Sequence, residues 1–248
     1  MPDRLDEFGQ PVGDPVPHWT PRPLPPPAPM HGRFCRVVPL DVERHAAALH
    51  AAYAEASDGR GWTYLFTDPF PTLAEYRDAL HAATSGTDPL PHAILDAATG
   101  EPLGAASFMR IDPAHGTIEI GAIHFSPRLQ RRPAATEALA LMMRRAFDTL
   151  GYRRLEWKCD SLNAPSRAAA LRLGFSFEGL FRQAVVYKGR SRDTAWFSVT
   201  DADWPTVRAG FDAWLDPANF DPSGLQRRSL QAARTGTATQ PRDAPPPP

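Results

Sequence analysis

Apolar residues along this chain recur at two different spacings, and the changes of spacing mark out its elements. Phe34 to Leu40 reads as a first strand. Asp41 is placed to cap a helix from Val42 to about Ala56, with Leu49, Ala52 and Tyr53 turned inward. Thr72-Leu73-Ala74-Glu75 is a capping box and predicts a second helix to about Ala83. His92–Asp96 and Leu103–Ile111 read as a hairpin across Thr99-Gly100, and Asp112 to Gly116 turns the chain into a strand Thr117–Phe125. A long helix follows. Pro133 suits its first position, and Leu139, Met142, Met143, Ala146, Phe147 and Leu150 recur at three- and four-residue steps. Next come a strand Leu155–Cys159, a helix Pro165–Leu173, a strand Phe177–Tyr187 bent at Arg182, a strand Asp193–Val199 and a helix Trp204–Leu215.

This order predicts a mixed, twisted α/β (α+β) sheet of about six to seven strands with helices on both faces. Residues 1–32 are rich in proline and read as an extended or disordered arm, which Phe8 and Trp19 could dock locally. Residues 33–200 form the expected domain, and 201–225 a C-terminal helix packed on it. Residues 226–248 are polar, end in four prolines and read as a disordered tail.

Composition narrows the function classes. Hydrophobic residues make up 42% of 248, enough for a core. A net charge of -1 gives no bulk attraction to nucleic acid or a membrane. Lys158 and Lys188 are the only lysines among 27 basic residues, a bias toward arginine best read as compositional. Two cysteines, Cys35 and Cys159, are too few for a disulfide framework. With no signal-like N-terminus and no long apolar run, a cytoplasmic protein is expected. The histidines show no metal-ligand spacing with the cysteines, so no metal is expected.

The candidate chemistry begins at Phe125-Ser-Pro-Arg-Leu-Gln-Arg-Arg-Pro133. A strand runs into an arginine-rich loop and then a helix start, where free N–H groups, the positive end of the helix dipole and guanidinium groups could hold phosphate. The plainer reading is a solvated basic loop. A second segment, Asn163-Ala-Pro-Ser-Arg-Ala-Ala-Ala-Leu-Arg-Leu-Gly-Phe175, follows the strand Leu155–Cys159. Together the two resemble the paired signature segments of the GNAT superfamily of N-acetyltransferases, and more closely the branch containing the ribosomal-protein N-terminal acetyltransferases. The resemblance covers roughly Arg33 to Thr200. It departs from the family at Pro133, which replaces a glycine and removes one N–H donor from the loop.

The resemblance implies acetyl-coenzyme A as co-substrate, lying where strands Thr117–Phe125 and Leu155–Cys159 splay apart. It implies phosphate contacts from Arg128, Gln130, Arg131, Arg132, Pro133, Ala134, Ala135 and Thr136. It further implies pantetheine contacts at Ile123 and Phe125, and cofactor contacts from Asn163 and Ser166. Asn163 and Ser166 are also ordinary helix-capping choices. Glu119 is the leading candidate for the base that deprotonates the amine, against a plain ion pair with an arginine such as Arg110; His124 is the alternative base. Ser166 and Tyr187 are the candidates for protonating the leaving thiolate. The aromatic loop Asp58–Pro71, with Trp62, Tyr64 and Phe66, and the segment Gly179–Asp193 are expected to form the acceptor side. The implied partner is a small-molecule amine or a protein N-terminus, with a homodimer left open. Two rival readings stand beside this one: a non-catalytic acyl-coenzyme A-binding module, and an interaction protein working through its proline arm.

Overall fold

The computed structural model describes residues 4–56 and 58–236. Its strands are β1 (Met30–His31), β2 (Cys35–Pro39), β3 (Leu90–Asp96), β4 (Pro102–Asp112), β5 (Thr117–Phe125), β6 (Arg154–Asp160), β7 (Ser176–Tyr187) and β8 (Arg190–Thr200). Its helices are α1 (Val42–Ala54), α2 (Leu73–Thr84), α3 (Pro133–Arg144), α4 (Ala164–Leu173), α5 (Trp204–Leu215) and α6 (Leu230–Thr235). The strands form one sheet in the order β1-β2-β3-β4-β5-β6-β8-β7, so the described residues carry eight strands where six to seven are expected. The two-residue β1 is the element that short pattern windows miss.

Every pairing is antiparallel except β5 with β6. That parallel pairing lasts only three residue pairs, Thr117↔Arg154, Ile118↔Leu155 and Glu119↔Glu156. Beyond them the strands part. A bulge helps to turn β5 away: between Gly121 and His124 it carries one residue more than β4, and Ala122 takes a φ of 49°. At Gly121 the backbone passes so close to Met109 and Glu119 that a Cβ would lie 2.5 Å from Met109 Sδ.

The larger core packs α3, α4, α5 and α6 on the sheet around Ile118, Ile120, Leu129, Met142, Met143, Leu155 and Phe197. A smaller core under α1 and α2 joins Val42, Leu49, Tyr53 and Tyr76, with Trp62 and Phe70 packed against it. Asp41 and Thr72 cap their helices as the sequence predicts, Thr72 within a full capping box with Glu75. The helix predicted to run to Leu150 ends its α-helical part at Arg144 and continues as a π-turn over Arg145–Thr149.

The chain's ends need correcting. The tail expected from residue 226 is folded as far as 236. There α6 packs on α5, Leu230 is buried, and Arg234 donates to the Arg172 carbonyl at 3.1 Å. Leu230 and Ala233 pack on the core and dock a helix too short and polar to stand out as periodic. The part of that tail beyond 236 lies outside the described residues. The proline-rich arm is extended but held: Trp19 Nε1 donates to Ala114 O at 2.8 Å, and Tyr152 Oη donates to Pro23 O at 3.1 Å. Its last residues enter the sheet as β1.

A buried carboxylate ties this entry to α3. Glu137 accepts the backbone N–H groups of Arg33, Phe34 and Cys35 at 2.8, 2.6 and 2.9 Å. Gly32 makes room for it, since a Cβ there would sit 2.3 Å from the Glu137 carboxyl carbon. Glu137→Ala would leave three donors without their acceptor. It should lose at least about 2 kcal/mol of unfolding free energy, since each abandoned buried donor costs about 1–3 kcal/mol. Glu137→Gln, which keeps one acceptor oxygen, should lose less. Urea unfolding measures both, and an unchanged midpoint for the alanine variant would show that water replaces the carboxylate.

Candidate active site

The gap between β5 and β6 opens toward the C-terminal ends of both strands, and the residues singled out from the sequence gather around it. At the end of β5 the chain folds back on itself: Leu129 and Gln130 donate their N–H groups to Ser126 O. Arg131 takes a left-handed φ of 60°, and Arg132 leads into α3 with Pro133 at its first turn. The N–H groups of Arg131 and Ala134 find no acceptor among the described residues. The side chains of Arg131 and Arg132 are exposed and form no ion pair there, and the buried Ser126 hydroxyl has no partner. Unused donors and two free guanidinium groups at a helix start suit an anion.

Other residues of that loop are engaged elsewhere. Arg128 grips Glu101 with two hydrogen bonds, at 2.7 and 2.8 Å, and reaches Glu55 at 3.0 Å. Gln130 Nε2 donates to Phe125 O at 2.9 Å, and the Ala135 N–H to Arg132 O at 3.1 Å. Thr136 is buried and its hydroxyl accepts from Arg172 at 2.6 Å. These four are satisfied within the protein; Arg131, Arg132 and Ala134 are the free donors.

Glu119 lies in the wall of β5 just where the strands part, and is 2% exposed. Arg110 Nη1 donates to its Oε1 at 2.9 Å. Lys158 Nζ stands 3.0 Å from Oε2 but is not aligned to hydrogen-bond it, so that oxygen remains without a hydrogen-bond partner. Lys158 also pairs with Glu156 at 2.6 Å and lies over the Trp196 ring at 3.9 Å. Burial raises the Glu119 pKa, and the two cations oppose that rise. The ion pair with Arg110 and proton acceptance through the remaining oxygen are both open to this geometry. Lys158 was not singled out from the sequence. The available signal was its alternation with Glu156 and Asp160 on one face of β6, opposite the buried Trp157 and Cys159.

His124 is stacked on Tyr53 with ring centroids 3.8 Å apart, and Trp62 meets it edge-on at 4.3 Å. Burial lowers its pKa to about 4, which makes it a weak base at neutral pH. Trp62 also packs on Tyr53 and Phe70, so its ring belongs largely to the smaller core. Tyr64 Oη donates to Leu162 O at 3.0 Å, whereas Phe66 is exposed and tilts over Tyr187 at 5.4 Å. The loop carrying these rings is pinned across the gap. Lys188 Nζ donates to Trp62 O at 2.8 Å and pairs with Asp68 at 2.9 Å, and Arg190 donates to Thr63 O at 3.1 Å. Lys188 and Gly189, both with positive φ, form the tight turn joining β7 and β8.

On the β6 side, Asn163 caps α4 by accepting the Ser166 N–H at 3.1 Å through Oδ1. Its amide nitrogen donates no hydrogen bond within the described residues. Ser166 Oγ accepts the Trp157 indole N–H at 3.0 Å. Tyr187 Oη donates to Asp160 Oδ2 at 2.8 Å, and burial with that carboxylate raises its pKa, so the phenol holds its proton. Ser166 and Tyr187 therefore approach the end of β6 from opposite faces of the sheet, one beside Trp157 and the other beside Asp160.

Comparison with known proteins decides the family. The acetyltransferase (GNAT) domain family matches residues 36–176. The chain belongs to the GNAT family. A GCN5-related N-acetyltransferase from Brucella melitensis is 49% identical and superposes with a TM-score of 0.87, over 89% of this chain and all (100%) of that one. A GNAT-family acetyltransferase from Chromobacterium violaceum is 39% identical with a TM-score of 0.75, over 79% of this chain and 98% of that one. The N-acetyltransferase p20 of Bacillus licheniformis is 27% identical over 60% of this chain and 84% of its own length. The fold is shared with a microcin C7 self-immunity acetyltransferase solved with acetyl-coenzyme A and AMP, at 21% identity and a TM-score of 0.60, over 68% of this chain and 93% of that one. Among the described residues no helix is long and apolar enough to cross a membrane, and no group of three or more His, Cys, Asp or Glu could hold a metal ion.

Two of the acetyltransferase's histidines, His92 and His124, tie its stability to pH. His92 and His124 both have pKa values lowered by burial to about 4. Unfolded, each takes up its proton near pH 6.5. Their contribution is complete above about pH 6.5 and is lost as pH falls from there toward 4, with a slope approaching about 1.4 kcal/mol per pH unit for each. His124→Phe keeps a ring on Tyr53 and removes one titration. Urea unfolding at stepped pH should show a shallower decline for this variant, and a slope equal to the wild type's would mean that His124 is charged in the fold.

Proposed function

We propose that the protein transfers an acetyl group from acetyl-coenzyme A to a primary amine, of a small molecule or a protein N-terminus. The observation that carries this reading is the early parting of β5 and β6, with unpaired Arg131, Arg132 and N–H groups at the end of one wall. In this reading Arg131, Arg132 and the Ala134 N–H hold the cofactor's phosphates, and Pro133 costs one donor that the left-handed Arg131 N–H replaces. The strand end around Ile123 and Phe125 and the free amide nitrogen of Asn163 face the pantetheine arm.

Only a neutral amine attacks the thioester, so a base must take its proton. Glu119 serves best, directly or through one water, because burial raises its pKa, Arg110 and Lys158 oppose that rise, and its second oxygen has no hydrogen-bond partner among the described residues. Ser166 serves best as the proton source for the departing thiolate. Its oxygen accepts from Trp157 and its hydroxyl lies beside the Cys159 thiol, with no carboxylate holding its hydrogen, whereas Tyr187 donates to Asp160. Phe66, Tyr187 and the pinned aromatic loop face the acceptor. Neither rival is favoured by an observation of its own: the arm's described hydrogen bonds, to Pro113, Ala114, Arg145, Tyr152 and β2, lie away from the gap.

Release of coenzyme A with a panel of amines and N-terminal peptides tests the reading. Arg131→Ala with Arg132→Ala should raise the KM for acetyl-coenzyme A at least tenfold, each charge-assisted contact being worth about 1.5–3 kcal/mol. Glu119→Gln should lower kcat by about 10²–10⁴ and leave that KM in place. A normal kcat with a lowered melting temperature would reduce Glu119 to an ion-pair partner. No thermal stabilisation of the wild type by millimolar acetyl-coenzyme A would overturn the reading altogether.

A further inference from the structure

Among the described residues, Arg192 is the only lysine or arginine that is buried, at 7% exposure. Its Nε donates to Thr194 Oγ1 at 3.1 Å. No carboxylate among the described residues comes within ion-pair reach of it. Lys158 and Lys188, by contrast, are matched: Lys158 stands between Glu119 and Glu156, and Lys188 is paired with Asp68; the exposed Arg190 donates to Thr63 O. Asp160 shares Tyr187 as a neighbour, but its two oxygens are taken by the Tyr187 hydroxyl at 2.8 Å and the Leu162 N–H at 2.9 Å. The two terminal guanidinium nitrogens of Arg192 thus have no acceptor among the described residues, and neither is sealed from the surface.

A guanidinium cannot shed its proton, so it stays charged where it is. Burying a charge without a counter-ion is costly. The faces of Phe66 and Tyr187, with ring centroids 5.2 and 5.8 Å from the guanidinium carbon, offset part of that cost. They leave the planar edge of the guanidinium open, the edge that carboxylate and phosphate oxygens match. The place is also specific. Phe66 comes from the aromatic loop and Tyr187 from the β7–β8 hairpin, at the end of the β6 wall. None of these contacts reaches the Arg131–Ala134 loop, so an anion here would not be a phosphate held at that loop.

We propose that Arg192 binds an oxyanion of the acceptor, a carboxylate or a phosphate, so that the enzyme selects amines carrying such a group. This rests on the reading of the protein as an amine acetyltransferase. Phe66 and Tyr187 form the walls of the anion pocket, and the amine of the same molecule extends toward Glu119.

The test uses matched acceptors: β-alanine against β-alaninamide, phosphoethanolamine against ethanolamine, and a tripeptide with a free against an amidated C-terminus. Wild type should prefer at least one anionic member by tenfold or more in kcat/KM. The pair that shows it separates carboxylate from phosphate. Arg192→Gln should abolish the preference while keeping the KM for acetyl-coenzyme A. Arg192→Lys, which keeps charge without the planar edge, should keep a weakened preference and guards against a folding defect in the glutamine variant. A second arm needs no turnover: benzoate and inorganic phosphate are titrated into the protein alone and read by thermal shift. Saturable stabilisation by one of them in wild type, lost in Arg192→Gln, supports the site. Equal turnover of charged and neutral partners, or anion shifts unchanged by both substitutions, overturns it. If acetyl-coenzyme A neither stabilises the protein nor is consumed, the acetyltransferase reading fails, and the anion titration still decides Arg192.

Discussion

Three residue pairs of parallel ladder hold β5 to β6, and the site depends on their stopping there. A parallel pair needs a crossover, and α3 supplies it, which sets a helix start directly beyond the end of β5. Had the ladder continued, strand backbone would have filled the space between Gly121–Phe125 and Trp157–Asp160. The bulge at Ala122 and the close approach at Gly121 keep β5 on β4 while turning it from β6. Backbone groups left unpaired by such a split need partners from outside the sheet. The His124 carbonyl takes the Tyr53 hydroxyl at 3.1 Å, and the Phe125 carbonyl takes the Gln130 amide.

The polar face of the gap is held by charge neutralisation rather than apolar packing. Glu119, Glu156 and Lys158 are nearly buried, and Arg110 and Arg154 close the cluster from its rim. Removing one partner from such a set leaves an uncompensated charge in a low-dielectric setting. Within the same set, burial raises the Glu119 pKa while Lys158 and Arg110 oppose that rise. The proposed proton acceptor is therefore also a member of this charge cluster, and kinetics per folded molecule separates the two roles.

The proposed acceptor side is assembled from distant parts of the chain. Trp62, Thr63 and Asp68 are fixed by Lys188 and Arg190 of the β7–β8 turn, and Tyr64 by the Leu162 carbonyl. This bracing makes the aromatic loop a wall built on the sheet. It also explains why Trp62 packs as core while Phe66 stays exposed: Trp62 leans on Tyr53 of α1, and Phe66 lies past it over Tyr187.

Local chemistry alone settled a large part of this molecule. The caps at Asp41 and Thr72, the strand Thr117–Phe125, the helix Trp204–Leu215 and the helix start at Pro133 follow from period and capping, which act within a few residues. The paired segments around Gln130 and Asn163 pointed to the family for the same reason, since each is one continuous piece of chain. What the sequence left open is what depends on neighbours far along it. Which loop arginines are free could not be read, because Arg128 is engaged by Glu101 and Glu55 while Arg131 and Arg132 are not. The docking of α6 rests on Leu230 meeting a core that other elements build. The raised pKa of Glu119, the lowered pKa of His124 and the unpaired charge of Arg192 belong to burial and cross-strand contact, which only the folded chain brings about.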